Sequence, residues 1–216
     1  MSVDIAPVYE FLLRLKQHNN RRWFKDHKTE YLQAKKLTEE FIARLLQVLG
    51  QTRPDLRYVH PAQTLYRIYR DIRFSVDKRP YKEAFCAFIA PGGRKSPVAG
   101  YYLHLEPGNT FAGGGIWRPP SEALRRIRTG IVERPEEFAA IVEAPDFQNY
   151  FGGFTGEKLK TIPRGFATDF PHPEWLRPKS YAVMHPLPDM PSVKQVAEIF
   201  AKIDPLNEFI NRALQE

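Results

Sequence analysis

Three strand-like runs joined by short turns constrain this chain more than anything else in it. FCAFIA (85–90) is continuous and apolar, while YYLHLEP (101–107) alternates Tyr101, Leu103 and Leu105 with Tyr102, His104 and Glu106. TFAGGGIW (110–117) follows at once, after the Pro-Gly-Asn turn at 107–109. The other connection, PGGRKSPVAG, is equally rich in turn residues. Neither is long enough for the helical crossover that parallel neighbours need, so the runs are expected to pair as an antiparallel meander.

Helical patterns flank this segment. Phe11, Leu12 and Leu15 share a face before the His-Asn-Asn stretch at 18–20, where Asn19 or Asn20 can cap a second helix. That helix carries Trp23, Phe24 and Tyr31, breaks or bends around Asp26–His27, and continues through Phe41, Leu45 and Val48 until Gly50 closes it. Downstream, Ser121 is expected to cap one helix and Pro135 to open another. Of the 19 prolines, 13 follow residue 106, so residues 170–191 are expected in extended surface pieces with SYAVMH as one strand. The chain ends in a helix expected to be interrupted near Pro205. No internal repeat or linker divides it. The expectation is one α+β domain over residues 1–216, a mainly antiparallel sheet packed with N- and C-terminal helices.

Composition excludes several classes. A hydrophobic fraction of 43% argues against disorder, and no run of apolar residues is long enough for a membrane span. The N-terminal stretch lacks the basic and apolar regions of a signal peptide, so a cytoplasmic location is expected. Cys86 is the only cysteine, which rules out an intrachain disulfide and a multi-cysteine metal site. It reads as a small buried hydrophobe rather than a nucleophile.

The chain is basic, with a formal charge of +7, and more than half of that excess lies in YRIYRDIRFSVDKRPYK (66–82). There Arg67, Arg70, Arg73, Lys78, Arg79 and Lys82 face only Asp71 and Asp77, interleaved with Tyr66, Tyr69, Phe74 and Tyr81. Strand and helix periodicity both fit its first half; Asp77 and Pro80 make the second half a loop. A guanidinium beside apolar surface needs partners. They are either the two aspartates and the tyrosine hydroxyls, in a structural network, or a phosphate or carboxylate, or a nucleic-acid backbone.

Other motifs are weaker. GGRKS (92–96) is not a phosphate loop, because Ile89 and Arg94 stand where that motif needs glycine. Gly113, Gly114 and Gly115 suit either close approach of a ligand to bare backbone or, more commonly, a bulge or a large side chain from an opposing layer. His104 and Glu106 point the same way on a strand, as an acid–base pair, two metal ligands or simply a polar face. The basic residues of GEKLKTIPRGF (156–166), with Arg125, Arg126 and Arg128, read mostly as solvated surface. No metal site and no cofactor are expected, and no catalytic residue stands out.

Five strings in order, FLLRLKQHNNRRWFKDHKTEY, YRIYRDIRFSVDKRPYK, GYYLHLEPG, FAGGGIWRP and GEKLKTIPRGF, resemble a mostly bacterial family, domain of unknown function 2461. The resemblance covers nearly the whole chain, and its most specific part is Arg70, Asp71, Arg73, Phe74, Ser75, Asp77, Lys78, Pro80, Tyr81 and Lys82. It implies a soluble stand-alone domain and assigns no activity. The functional expectation is therefore built from residues: a site for a small phosphorylated or otherwise anionic ligand, with catalysis left open. Arg67, Arg70, Arg73, Lys78 and Lys82 would form it, Asp71 and Asp77 would orient them, and Tyr81 and Gly113–Gly115 would lie nearby. A nucleic-acid-backbone module, or a structural or partner-binding protein, are the alternatives.

Overall fold

A computed structural model describes residues 3–216, so the first two residues of the expected 1–216 span lie outside it. The fold is α+β. Helices α1 (Ala6–Gln17), α2 (Arg21–Asp26), α3 (Lys28–Thr52) and α4 (Pro61–Thr64) precede strands β1 (Phe85–Ile89), β2 (Gly100–Leu105) and β3 (Phe111–Ile116). Then come α5 (Ser121–Glu133), α6 (Pro135–Val142), α7 (Pro145–Phe151) and α8 (Pro173–Leu176), strand β4 (Tyr181–Pro186) and α9 (Val193–Gln215). The sheet is antiparallel with strand order β1-β2-β3-β4, as the short connections from β1 to β2 and from β2 to β3 require for those pairs. Among the described residues no helix is long and apolar enough to cross a membrane. The chain divides into two compact units. Among the described residues, the first comprises 3–95, 102–112 and 186–198, the second 96–101, 113–185 and 199–216.

In the first unit, Val8, Phe11, Leu12 and Leu15 form the buried stripe of α1. Asn20 caps α2, its side chain accepting a hydrogen bond from the Trp23 N–H at 3.0 Å. The expected break falls at His27, whose ring stacks on Trp23 with centroids 4.1 Å apart. Phe11 touches Phe85 of β1, and Phe24 stacks on Tyr81 at 3.9 Å, so the helices and the sheet share one aromatic core. Helix α3 runs two residues past the expected stop at Gly50. That residue is helical and buried, and its carbonyl accepts from Arg57 Nε at 2.7 Å.

In the second unit, α9 buries Ile203, Leu206, Asn207, Phe209, Ile210 and Ala213. The expected interruption at Pro205 does not occur. The proline lies on the exposed face, and burial on both sides of it outweighs one missing hydrogen bond. Asn207 is fully buried and bridges two strands, its Oδ1 accepting from Gly115 N–H at 2.9 Å and its Nδ2 donating to the Gly100 carbonyl at 3.2 Å. Asn211 repeats the arrangement on Ala99, at 2.7 and 3.2 Å. Ser121 is not a cap: it is the first residue of α5, and Pro120 occupies the cap position with no side-chain hydrogen bond. The proline-rich segment contains a short helix, α8, besides the expected strand.

Asn207→Ala strands a buried donor and a buried acceptor together, and should cost about 2–4 kcal/mol of unfolding free energy in a urea titration. Asn211→Ala, at a partly buried site, should cost about 1 kcal/mol. Equal losses would mean that burial does not govern these bridges.

Candidate functional site

The two-residue period of β2 puts Tyr101, Leu103 and Leu105 into the core and leaves Tyr102, His104 and Glu106 half-buried on the opposite face. Strand β1 adds Cys86 to that face. Its thiol lies 3.3 Å from His104 Nδ1, and His104 Nε2 lies 2.7 Å from Glu106 Oε2. Thiol, imidazole and carboxylate thus form one row. Phe111 of β3 stacks on the imidazole with centroids 4.7 Å apart, fixing its plane. Asn109 Nδ2 donates to Glu106 Oε2 at 3.0 Å, and the Thr110 hydroxyl donates to the Glu106 carbonyl at 2.9 Å. Tyr102 OH is 3.4 Å from His104 Nδ1.

This arrangement selects a tautomer. The Glu106 carboxylate accepts the Nε2 proton, which leaves Nδ1 free to accept from the thiol. Burial alone would raise the Cys86 pKa, but the hydrogen bond and charge of His104, with help from Tyr102 and Lys82, outweigh it and hold the thiol below its ordinary value. His104 moves the other way: burial lowers it, and Cys86 and Glu106 together raise it above the usual histidine range. Glu106 is desolvated, yet its bonds from His104 and Asn109 keep it below the usual carboxylate value. The directions agree in favouring transfer of the thiol proton toward the imidazole, with a carboxylate behind it. The groups lie in a row with His104 in the middle. Among the described residues no three or more such side chains are placed to hold a metal ion.

The basic string is neither strand nor helix. Two isolated antiparallel bridges, Leu65 with Ala87 and Tyr69 with Tyr81, hold it as an irregular hairpin whose tip exposes Phe74 and Val76 almost completely. Its charges are spent largely on each other. Arg70 Nη1 donates to Asp77 at 2.6 Å, Arg79 bonds the same carboxylate and Glu83, and Arg73 grips Asp71 through Nε and Nη2 at 3.0 and 2.7 Å. Lys78 Nζ donates to the Ile72 carbonyl, and Lys82 Nζ lies 5.3 Å over the Tyr66 ring. Tyr81 is buried against Phe24, and Arg67 is exposed. The side-chain and backbone bonds of Arg79, then the bond from Arg70, hold Asp77 far below the ordinary carboxylate range.

Gly113, Gly114 and Gly115 belong to the second unit, and the chain itself fills the space beside them. A Cβ at 113 would meet the Val183 carbonyl at 2.6 Å. One at 114 would meet the Gly100 carbonyl and Ile203 Cγ2, each at 2.7 Å. Gly115 has φ +94° and abuts the Tyr181 carbonyl.

Of the residues in the row, Cys86 had only an apolar signal, whereas His104 and Glu106 stood out as an acid–base pair, two metal ligands or a polar face. What joins them is the register of β1 against β2, which sequence periodicity does not contain.

Because Asp77 ties both Arg70 and Arg79, Asp77→Asn should loosen the hairpin without unfolding the protein. Trypsin should cleave within residues 70–79 faster than in the wild type, at a nearly unchanged melting temperature. Unchanged cleavage would mean that the bridges alone hold the hairpin.

No curated protein and no solved structure matches the chain. A family model does, over residues 7–209, and its description is a conserved hypothetical protein. The chain therefore belongs to the domain-of-unknown-function family 2461.

Proposed function

We propose that the half-buried face around Cys86, His104 and Glu106 is a site for a small anionic substrate, and that the Cys86 thiolate is its nucleophile. The observation that carries this reading is the unbroken row from Sγ to Nδ1 at 3.3 Å and from Nε2 to Oε2 at 2.7 Å. A thiol proton passes to Nδ1 without any heavy atom moving, and Glu106 stabilises the imidazolium that results. In attack on an activated carbonyl, the thiolate bonds to carbon and His104 returns its proton to the departing group. Water then cleaves the thioester and restores the thiol. The charge of Lys82 acts on Cys86 and that of Arg94 on Tyr66, which favours an anionic substrate. Only 6% of Cys86 is exposed, which restricts the site to small molecules. Of the basic string, this reading uses Lys82. Arg70, Arg73 and Arg79 serve the hairpin through their carboxylate pairs.

The single cysteine makes the test direct. Alkylation by iodoacetamide across pH should show an apparent thiol pKa below the free value of about 8.5. Glu106→Gln should slow alkylation at neutral pH by about tenfold, with His104→Ala slower still. Iodoacetate should react faster relative to iodoacetamide than it does with a free thiol, and Lys82→Met should abolish that preference. A thiol that reacts only after unfolding, or with the ordinary pH profile, rules this function out.

A further inference from the structure

The second unit holds a different kind of charge. Arg128 of α5 is only 7% exposed, although its neighbours Arg125 and Arg126 lie in solvent as their composition suggests. Its Nη2 donates to the Pro178 carbonyl at 2.9 Å, and its guanidinium lies against the Tyr181 hydroxyl. That hydroxyl donates onward to the Trp175 carbonyl at 2.7 Å. Both partners of Arg128 are neutral. Its Nε is buried with no partner, and among the described residues no carboxylate lies within salt-bridge distance of it. The Tyr181 ring beside it belongs to an apolar aromatic cluster: Phe138 packs on Trp175 with centroids 5.4 Å apart, and Phe154 on Tyr181 at 5.2 Å.

A second cation lies next in the chain to the carbonyl that Arg128 binds. Arg177 precedes the proline whose carbonyl Arg128 grips, and its Nε is likewise buried without a partner. GEKLKTIPRGF runs alongside. The Leu159 N–H donates to the Arg177 carbonyl at 2.8 Å, and Lys158 bridges to Pro178. The nearby acids are committed elsewhere: Glu157 pairs with Lys179 at 2.7 Å and with Arg118 at 3.6 Å, and Glu174 faces His172.

An uncompensated guanidinium in such surroundings is costly, and two carbonyl or hydroxyl oxygens satisfy donors without neutralising charge. We infer that Arg128 and Arg177 form a binding site for a small oxyanion of the phosphate class, either inorganic phosphate or the phosphate of a small monoester. The planar fork of arginine fits two oxygens of such a group, and a second guanidinium brought to the same anion favours a dianion over a carboxylate. This site is independent of the thiol face and stands or falls separately.

The test is a melting-temperature titration at constant ionic strength with inorganic phosphate, a phosphomonoester such as phenyl phosphate, and acetate, each matched against chloride. The wild type should show a saturable rise with phosphate or the monoester and little with acetate. A stronger response to the monoester would point to an organic ligand, a stronger response to phosphate to the free ion. Arg128→Met should lose the response while melting no lower than the anion-free wild type, because it removes an unpaired buried charge. Should Arg128→Met fail to fold, Arg177→Gln provides the second arm, with apparent affinity expected to fall about tenfold. A wild type that ignores both phosphates, or variants that respond as it does, would overturn the inference.

Discussion

The pairing of β1 with β2 governs both what is core and what is chemistry in the first unit. The pleat sends Tyr101, Leu103 and Leu105 inward and Tyr102, His104 and Glu106 outward. Register then decides which β1 side chain meets the imidazole. A slip of one residue would replace Cys86 with Phe85 or Ala87 and leave His104 paired only to Glu106. The rest of the unit supports this register. The Tyr66 N–H donates to the Cys86 carbonyl at 2.9 Å, and Phe111 stacks on the imidazole.

Charge is handled in two contrasting ways. The hairpin at 65–83 gathers guanidinium groups but supplies Asp71, Asp77 and Glu83 within reach, so the exposed network neutralises itself. Such pairs position a loop more than they stabilise a fold. Arg128 lies among aromatic rings with only neutral oxygens for partners, where a counter-charge matters far more.

Much of the fold was legible in the sequence because local signals carried it. Alternation marked β2, the asparagine before Arg21 marked a cap, and short turns implied an antiparallel sheet. Where expectation and structure part, tertiary burial prevailed over local propensity. Helix α9 passes through Pro205 because its apolar stripe continues, and α3 passes Gly50 because Arg57 binds that carbonyl. The triple glycine was legible in kind, as close packing of neighbouring backbone and of Ile203. The candidate site was legible only in fragments. His104 and Glu106 were visible as a pair, but Cys86 is 18 residues away and its meeting with them depends on register. Arg128 was hidden for a similar reason, since the burial of one helix face cannot be read from a run of arginines.

The proposed site depends on the state of one imidazole, which nitrogen NMR of His104 reads. The row requires a proton on Nε2 facing Glu106. It also requires a charged form that persists above the ordinary histidine range, because Cys86 and Glu106 raise its pKa against the effect of burial. In Cys86→Ser the titration should move down, toward the ordinary value, as the partner anion is lost. A neutral ring protonated on Nδ1, or a titration that Cys86→Ser leaves unchanged, would contradict the account.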